Sequence, residues 1–111
     1  MEKINFIDEA ALLPKFSSQK SFYNKAIIKR YYNKDNIIIK HELYSYNTLV
    51  LILKNNNIYL NYNIKEKDLF SHTTVKHMKE FLKQKYYIHK KDINNKKDII
   101  KNSKSIKEME K

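Results

Sequence analysis

Cysteine and glycine are both absent from this chain, and its one proline is Pro14. Without cysteine there is no disulfide framework, no thiolate metal site and no thiol nucleophile, a composition that fits a reducing compartment. Without glycine no Walker-type phosphate loop and no dinucleotide-binding fingerprint can be built, because both need backbone that only glycine supplies. Two large enzyme classes are thereby excluded. Tight reversals must use asparagine instead, which tolerates the left-handed conformation, and Asn55-Asn56-Asn57 is the clearest such place. Long apolar runs are missing too. No stretch approaches the ~20 apolar residues that span a bilayer, and the amino end, MEKINFIDEAALLPKF, lacks the basic start and apolar run of a leader. The expectation is a soluble protein of a host cell cytoplasm, with no membrane partner.

What is present is lysine, asparagine, isoleucine and tyrosine, the usage of an AT-rich genome. The 111 residues carry a formal net charge of +11. Residues 1–20 hold three lysines against three acids. Residues 21–84 hold eleven Lys or Arg against five acids, and residues 85–111 hold nine lysines against four. Such a balance favours anionic partners such as nucleic acid, the acidic face of a protein or a membrane surface. The plain alternative is that lysine merely keeps the chain soluble.

Three zones follow from the pattern. Residues 1–20 read as an N-terminal arm, with a short apolar patch stopped by Pro14. Residues 21–87 read as an α+β domain. Four β-rich runs, SFYNKAIIKRYY, NIIIKHELYSY, TLVLILK and IYLNYNI, are divided by Asn33-Lys34-Asp35 and by Asn55-Asn56-Asn57, which predicts a small antiparallel sheet of about four strands. The run TLVLILK is apolar on both sides and reads as a central strand. One amphipathic helix covers the sheet. It begins near Ser71 or Thr73, and its spacing places Val75, Met78, Phe81 and Leu82 on one stripe. Residues 88–111 lose this pattern and read as a basic C-terminal tail, mobile or marginally helical.

Candidate binding residues come from charge and aromatics. Lys76, Lys79 and Lys83 recur at helical spacing beside the buried stripe, a row suited to phosphates. The bland reading is a solvated face, with Glu80 compensating Lys76 and Lys83. Tyrosines interleave with cations around Arg30, Tyr31 and Tyr32, and around Lys85, Tyr86 and Tyr87, followed by Lys90 and Lys91. Aromatic rings beside cations hold single-stranded nucleic acid without reading its sequence. Against that, one tyrosine of each pair points into the core. His41, His72, His77 and His89 form no metal-ligand set, and His72 and His77 lie about 140° apart on a helix. His77 reads as a structural histidine at the edge of the buried face. Glu66 with Asp68 has no partner to shift either carboxyl. No catalytic residue and no cofactor is expected, so the protein is read as a non-enzyme.

The blocks KSFYNKA, LYSYNTLVLILKNNNIYLN and SHTTVKHMKEFLKQ, in this order, resemble a family of small phage and prophage proteins of unknown function. Its members share a SYxT strand and a TTxxHxxEFL helix, here Tyr46 and Thr48, then Thr73, Thr74, His77, Glu80, Phe81 and Leu82. The resemblance spans about residues 20 to 85 and has Asn24 and Asn55 to Asn57 where glycine would be expected. It implies a viral or prophage setting and supplies no mechanism. The function expected is a non-enzymatic binding protein, an anti-CRISPR-like inhibitor docking through its basic surface on a host protein or nucleoprotein complex. The alternative is direct binding of DNA or RNA in replication or gene control, and the third reading is a virion accessory.

Overall fold

The computed structural model describes residues 3–86 and 93–110. Its reversals show what asparagine does in the absence of glycine. Pairs of consecutive residues take positive φ at Tyr23 and Asn24 (52° and 59°), at Tyr46 and Asn47 (51° and 67°), and at Asn55 and Asn56 (52° and 59°). Two successive left-handed residues are the hallmark of the type I′ reversal, whose twist matches that of paired strands. The second and third pairs each close a hairpin. At the remaining turn Asn33 Oδ1 accepts the amides of Asp35 and Ile37, and Asn36 takes a φ of 60°.

These turns organise one sheet with six strands among the described residues: β1 (Phe6–Ala11), β2 (Ala26–Tyr32), β3 (Ile38–Ser45), β4 (Thr48–Lys54), β5 (Asn57–Leu60) and β6 (Ser103–Ser105). Their order in the sheet is their order in the chain, antiparallel throughout except that β6 lies parallel to β5. Between β5 and β6 come α1 (Glu66–Leu69), α2 (His72–Lys85) and α3 (Lys96–Lys101), and a 3-10 turn, Ile106–Glu110, follows β6.

The long helix forms where its pattern says it should. Ser71 caps it, its hydroxyl accepting the Thr74 amide, and Lys83 and Lys85 occupy the last turn, where cations suit the helix dipole. Met78, Phe81 and Leu82 are buried against Leu43, Leu51, Leu53, Ile58 and Leu60 of the sheet, with Val75 partly buried beside them. A bulge in β4 breaks the strict alternation: Leu43 pairs with Leu51 and Tyr44 with Leu49, so Val50 is skipped and joins the same core cluster.

The architecture is α+β, with six strands where about four were expected. The two additional strands come from the segments read as arm and tail. The first pairs with β2 through Phe6↔Tyr32 to Ala11↔Ile27. Its polar letters, Asp8 and Glu9, belong to an edge strand whose charged side chains cross-pair with Arg30 and Lys29. The basic tail, expected to be mobile or marginally helical, carries α3 and β6 within its described part, 93–110. Asn95 and Asp98 form a capping box for α3, and Ile93 and Ile99 are buried at 2% and 0% exposure. Lysine density masked two core residues. Tyr46, placed in a strand by the motif, instead sits in a turn.

Candidate anion-binding face

At 3.6 residues per turn, positions 76, 79 and 83 of α2 share one stripe, and the loop between β1 and β2 is strapped along it. That loop is anchored by the buried side chains of Leu12 and Phe22 and by the Leu12 amide donating to the Ala26 carbonyl. The strap itself is Glu80. Its carboxylate accepts the amides of Phe16 (3.0 Å) and Ser17 (2.8 Å) and the Gln84 side-chain amide (2.7 Å). Gln84 also donates to the Leu13 carbonyl, and Lys76 Nζ donates to Gln19 Oε1 at 3.1 Å. Between helix and loop lies a groove of about 250 Å3, lined by Phe16, Ser17, Ser18, Lys76, Lys79, Glu80 and Lys83.

The electrostatics of this groove differ from those expected for a solvated helix face. Glu80 is 2% exposed. Burial pushes its pKa upward, but the hydrogen bonds from Gln84 and from the amides of Lys15, Phe16 and Ser17 outweigh it and hold the carboxyl below its ordinary value. The acid assigned to partner Lys76 and Lys83 is therefore occupied by the loop backbone. Among the described residues no carboxylate forms an ion pair with Lys76, Lys79 or Lys83.

A separate cluster of cations lies at the end of α2. Lys85 is pushed down by burial and then by repulsion from Arg30 and Lys15. His41, whose ring lies 5.9 Å from Phe81, is pushed down to about 4 by burial, Lys85 and Arg30. Arg30 itself is spoken for: its guanidinium donates twice to Asp8, Nε to Oδ1 at 2.7 Å and Nη2 to Oδ2 at 2.9 Å. That bond raises Arg30 and lowers Asp8.

Of the nine residues singled out in the sequence, Lys76, Lys79 and Lys83 share one stripe and line one groove, whereas Lys85 lies about 160° round the helix from Lys83, within electrostatic reach of Arg30. Tyr31 follows Arg30 in an alternating strand and points to the opposite face of the sheet. There its hydroxyl donates to Glu42, as does that of Tyr44 (3.0 Å), while Lys40 and Lys29 lie over the two rings at 4.1 and 4.9 Å. Burial, helped by Glu42, raises the Tyr44 hydroxyl to about 12. These rings serve the sheet and do not form a platform on the basic band. Tyr86 is 7% exposed and belongs to the core. Lys90 and Lys91 lie outside the described residues.

Sequence reasoning missed Phe16, which lines the groove and is 48% exposed. Its amide meets Glu80 across 64 residues of chain, a separation for which a single sequence carries no signal.

A second polar cluster ties the layers together. Ser45 Oγ lies 2.8 Å from His77 Nδ1 and 3.1 Å from Thr74 Oγ1, and the His77 ring meets Phe22 edge-on at 4.8 Å and Tyr46 at 5.9 Å. His77, 1% exposed, is pushed down to about 4 by burial and by Lys76. A cleft of about 340 Å3 lined by Ser45, Tyr46, Thr48, Asp68, Ser71 and Thr74 opens beside it. Among the described residues there is no group of three or more His, Asp or Glu able to hold a metal ion, and no helix is long and apolar enough to cross a membrane.

Phe22, Ser45 with Tyr46, and Thr74 with His77 come from three separate blocks of sequence and meet at this one lock. A family model that contains all three blocks matches residues 11–104. The chain belongs to DUF8033, a family of unknown function. The match takes in the strap loop, all of α2 and α3, and reaches into β6. Comparison with the curated proteins and with the solved structures finds no significant match.

Proposed function

We propose that this DUF8033 protein acts by binding rather than catalysis, and that its α2 band docks on an anionic partner. The observation that carries this reading is the lysine row. Three ammonium groups border a groove whose single carboxylate is buried and hydrogen-bonded to the loop. An array of like charges with no counter-ion among the described residues is held at a cost in self-repulsion, and an anion laid against it relieves that cost. The nearest approach to a nucleophile and base, Ser45 with His77, supports the same side of the choice: the two residues are 3% and 1% exposed and bridge β3 to α2.

The biological form of the proposal is an inhibitor, phage-encoded and anti-CRISPR-like, that docks on a host nucleoprotein complex. Direct binding of nucleic acid is the second reading, favoured by the exposed Phe16 in the groove. The test is affinity capture from host extract, with and without nuclease. Stoichiometric recovery of one complex after nuclease treatment, lost in a Lys76→Glu/Lys79→Glu/Lys83→Glu variant, supports the inhibitor. Capture that vanishes with nuclease supports the second reading, and capture indifferent to the three lysines refutes the role of the band.

A further inference from the structure

Resting on the reading of the α2 band as an anion site, we propose that the groove between α2 and the 15–18 loop takes a single strand of nucleic acid. The Phe16 ring stacks on a base, and Lys76, Lys79 and Lys83 bind successive phosphates.

Four observations lead there. First, an aromatic ring set among lysines is the arrangement that holds single strands, because every base has a face to stack while the backbone needs only positive charge. Phe16 presents about half of its surface, and three lysines line the same groove. Second, the lysines rise by ~4.5 and ~6 Å along the helix axis. Their flexible stems and point charges suit a strand of irregular path. Third, the site is concave, about 250 Å3 between a helix and a loop. A duplex is read by an element that protrudes into its groove, the opposite shape. Fourth, an acidic peptide is best gripped by the guanidinium fork, and the one arginine of the chain is engaged by Asp8. A lipid surface calls for a broad apolar face, whereas beside the groove the exposed large apolar side chains are Leu13 and Phe16.

The experiment is fluorescence anisotropy of the full chain with a labelled oligothymidine of about fifteen nucleotides, beside a duplex of equal length, heparin, and vesicles of phosphatidylserine. The expected result is binding of the single strand in preference to the duplex. With three phosphates neutralised at a slope of about 0.7 each, affinity falls about 20-fold between about 50 and about 200 mM salt. Phe16→Ala weakens the single strand by at least about five-fold and Phe16→Tyr restores it, with unchanged thermal melting as the check on folding. Lys79→Glu weakens single strand, duplex and heparin together. If Phe16→Ala binds like the wild type, or the duplex binds as well as the single strand, the stacking site is overturned while the anion-binding band stands. Vesicle binding lost in Phe16→Ala, without oligonucleotide binding, assigns the groove to a membrane and overturns the inference. Failure to bind any of these polyanions overturns both the inference and the band.

Discussion

Replacing Glu80 by alanine tests whether α2 presents a strapped groove or a bare solvated face. The carboxylate accepts three donors, the amides of Phe16 and Ser17 and the Gln84 side chain, at 3.0, 2.8 and 2.7 Å. Hydrogen bonds to a charged group contribute about 1.5 to 3 kcal/mol each, and a buried donor left unsatisfied costs a similar amount. The loop can swing out and hydrate its amides, which limits the loss, and alanine returns a few tenths through helix propensity. The expected destabilisation is therefore about 2 to 4 kcal/mol, a large share of the 5 to 15 kcal/mol typical of a domain. Glu80→Gln keeps an acceptor but loses the charge, and should cost about 1 to 2 kcal/mol. The assay is urea unfolding followed by circular dichroism near pH 7, with Glu66→Ala, an exposed acid of α1, as the control expected within about 0.5 kcal/mol. Because the folded Glu80 carboxyl titrates below its ordinary value, its contribution is full above the unfolded pKa and is lost as pH falls through the folded one. Glu80→Gln should flatten that acid limb. A Glu80→Ala protein as stable as the wild type would mean that the carboxylate faces water and that the groove does not exist as described.

The remaining predictions concern the lock and the edges. His77 titrates near 4 when folded and near 6.5 when unfolded, so acid favours the unfolded state. Between pH 7 and 5 the wild type should lose about 1 kcal/mol through this group after allowance for solvent screening, and a Ser45-compatible His77→Gln variant less; equal losses in urea melts at the two pH values would refute it. Truncation after residue 92 removes β6 and the buried Ile93 and Ile99. At about 2 kcal/mol or more per buried isoleucine, it should cost at least about 4 kcal/mol, and an unchanged melt would return these residues to the status of a tail. Asn55→Val forces a β-branched residue into the left-handed region and should destabilise by about 1 kcal/mol or more, whereas Asn55→Gly should be neutral or stabilising by calorimetry.

The parts of the fold legible in the sequence are those whose cause is local. The helix declares itself through Ser71, its cap, and the stripe of Met78, Phe81 and Leu82, and the β4–β5 hairpin through Asn55 and Asn56. Edge strands were illegible because their residues are chosen for exposure. FIDEAA and SKS lack the β-branched runs of the inner strands, and their pairing depends on partners far along the chain. Tyrosine is not a turn residue, so the reversal at Tyr46-Asn47 left only Asn47 as a clue. The lysine row was visible from helical spacing alone, but Glu80 changed meaning once folded. Charge counting treats it as a surface counter-ion, whereas its carboxylate is an internal ligand of the loop.

The parallel strand at the end of the sheet has a kinetic consequence. Strands β2 to β5 are joined in succession by short connections, so that part of the meander can zip up quickly from its turns. Ser103 must instead locate Ile58 after the whole helical segment has been laid down, which places this pairing among the slow, non-local steps. Until then the outer side of β5 offers unpaired amides and carbonyls to any other chain. The lysines that crowd the last zone would repel such neighbours during that interval, so the same charge that dresses the finished surface also guards the unfinished one.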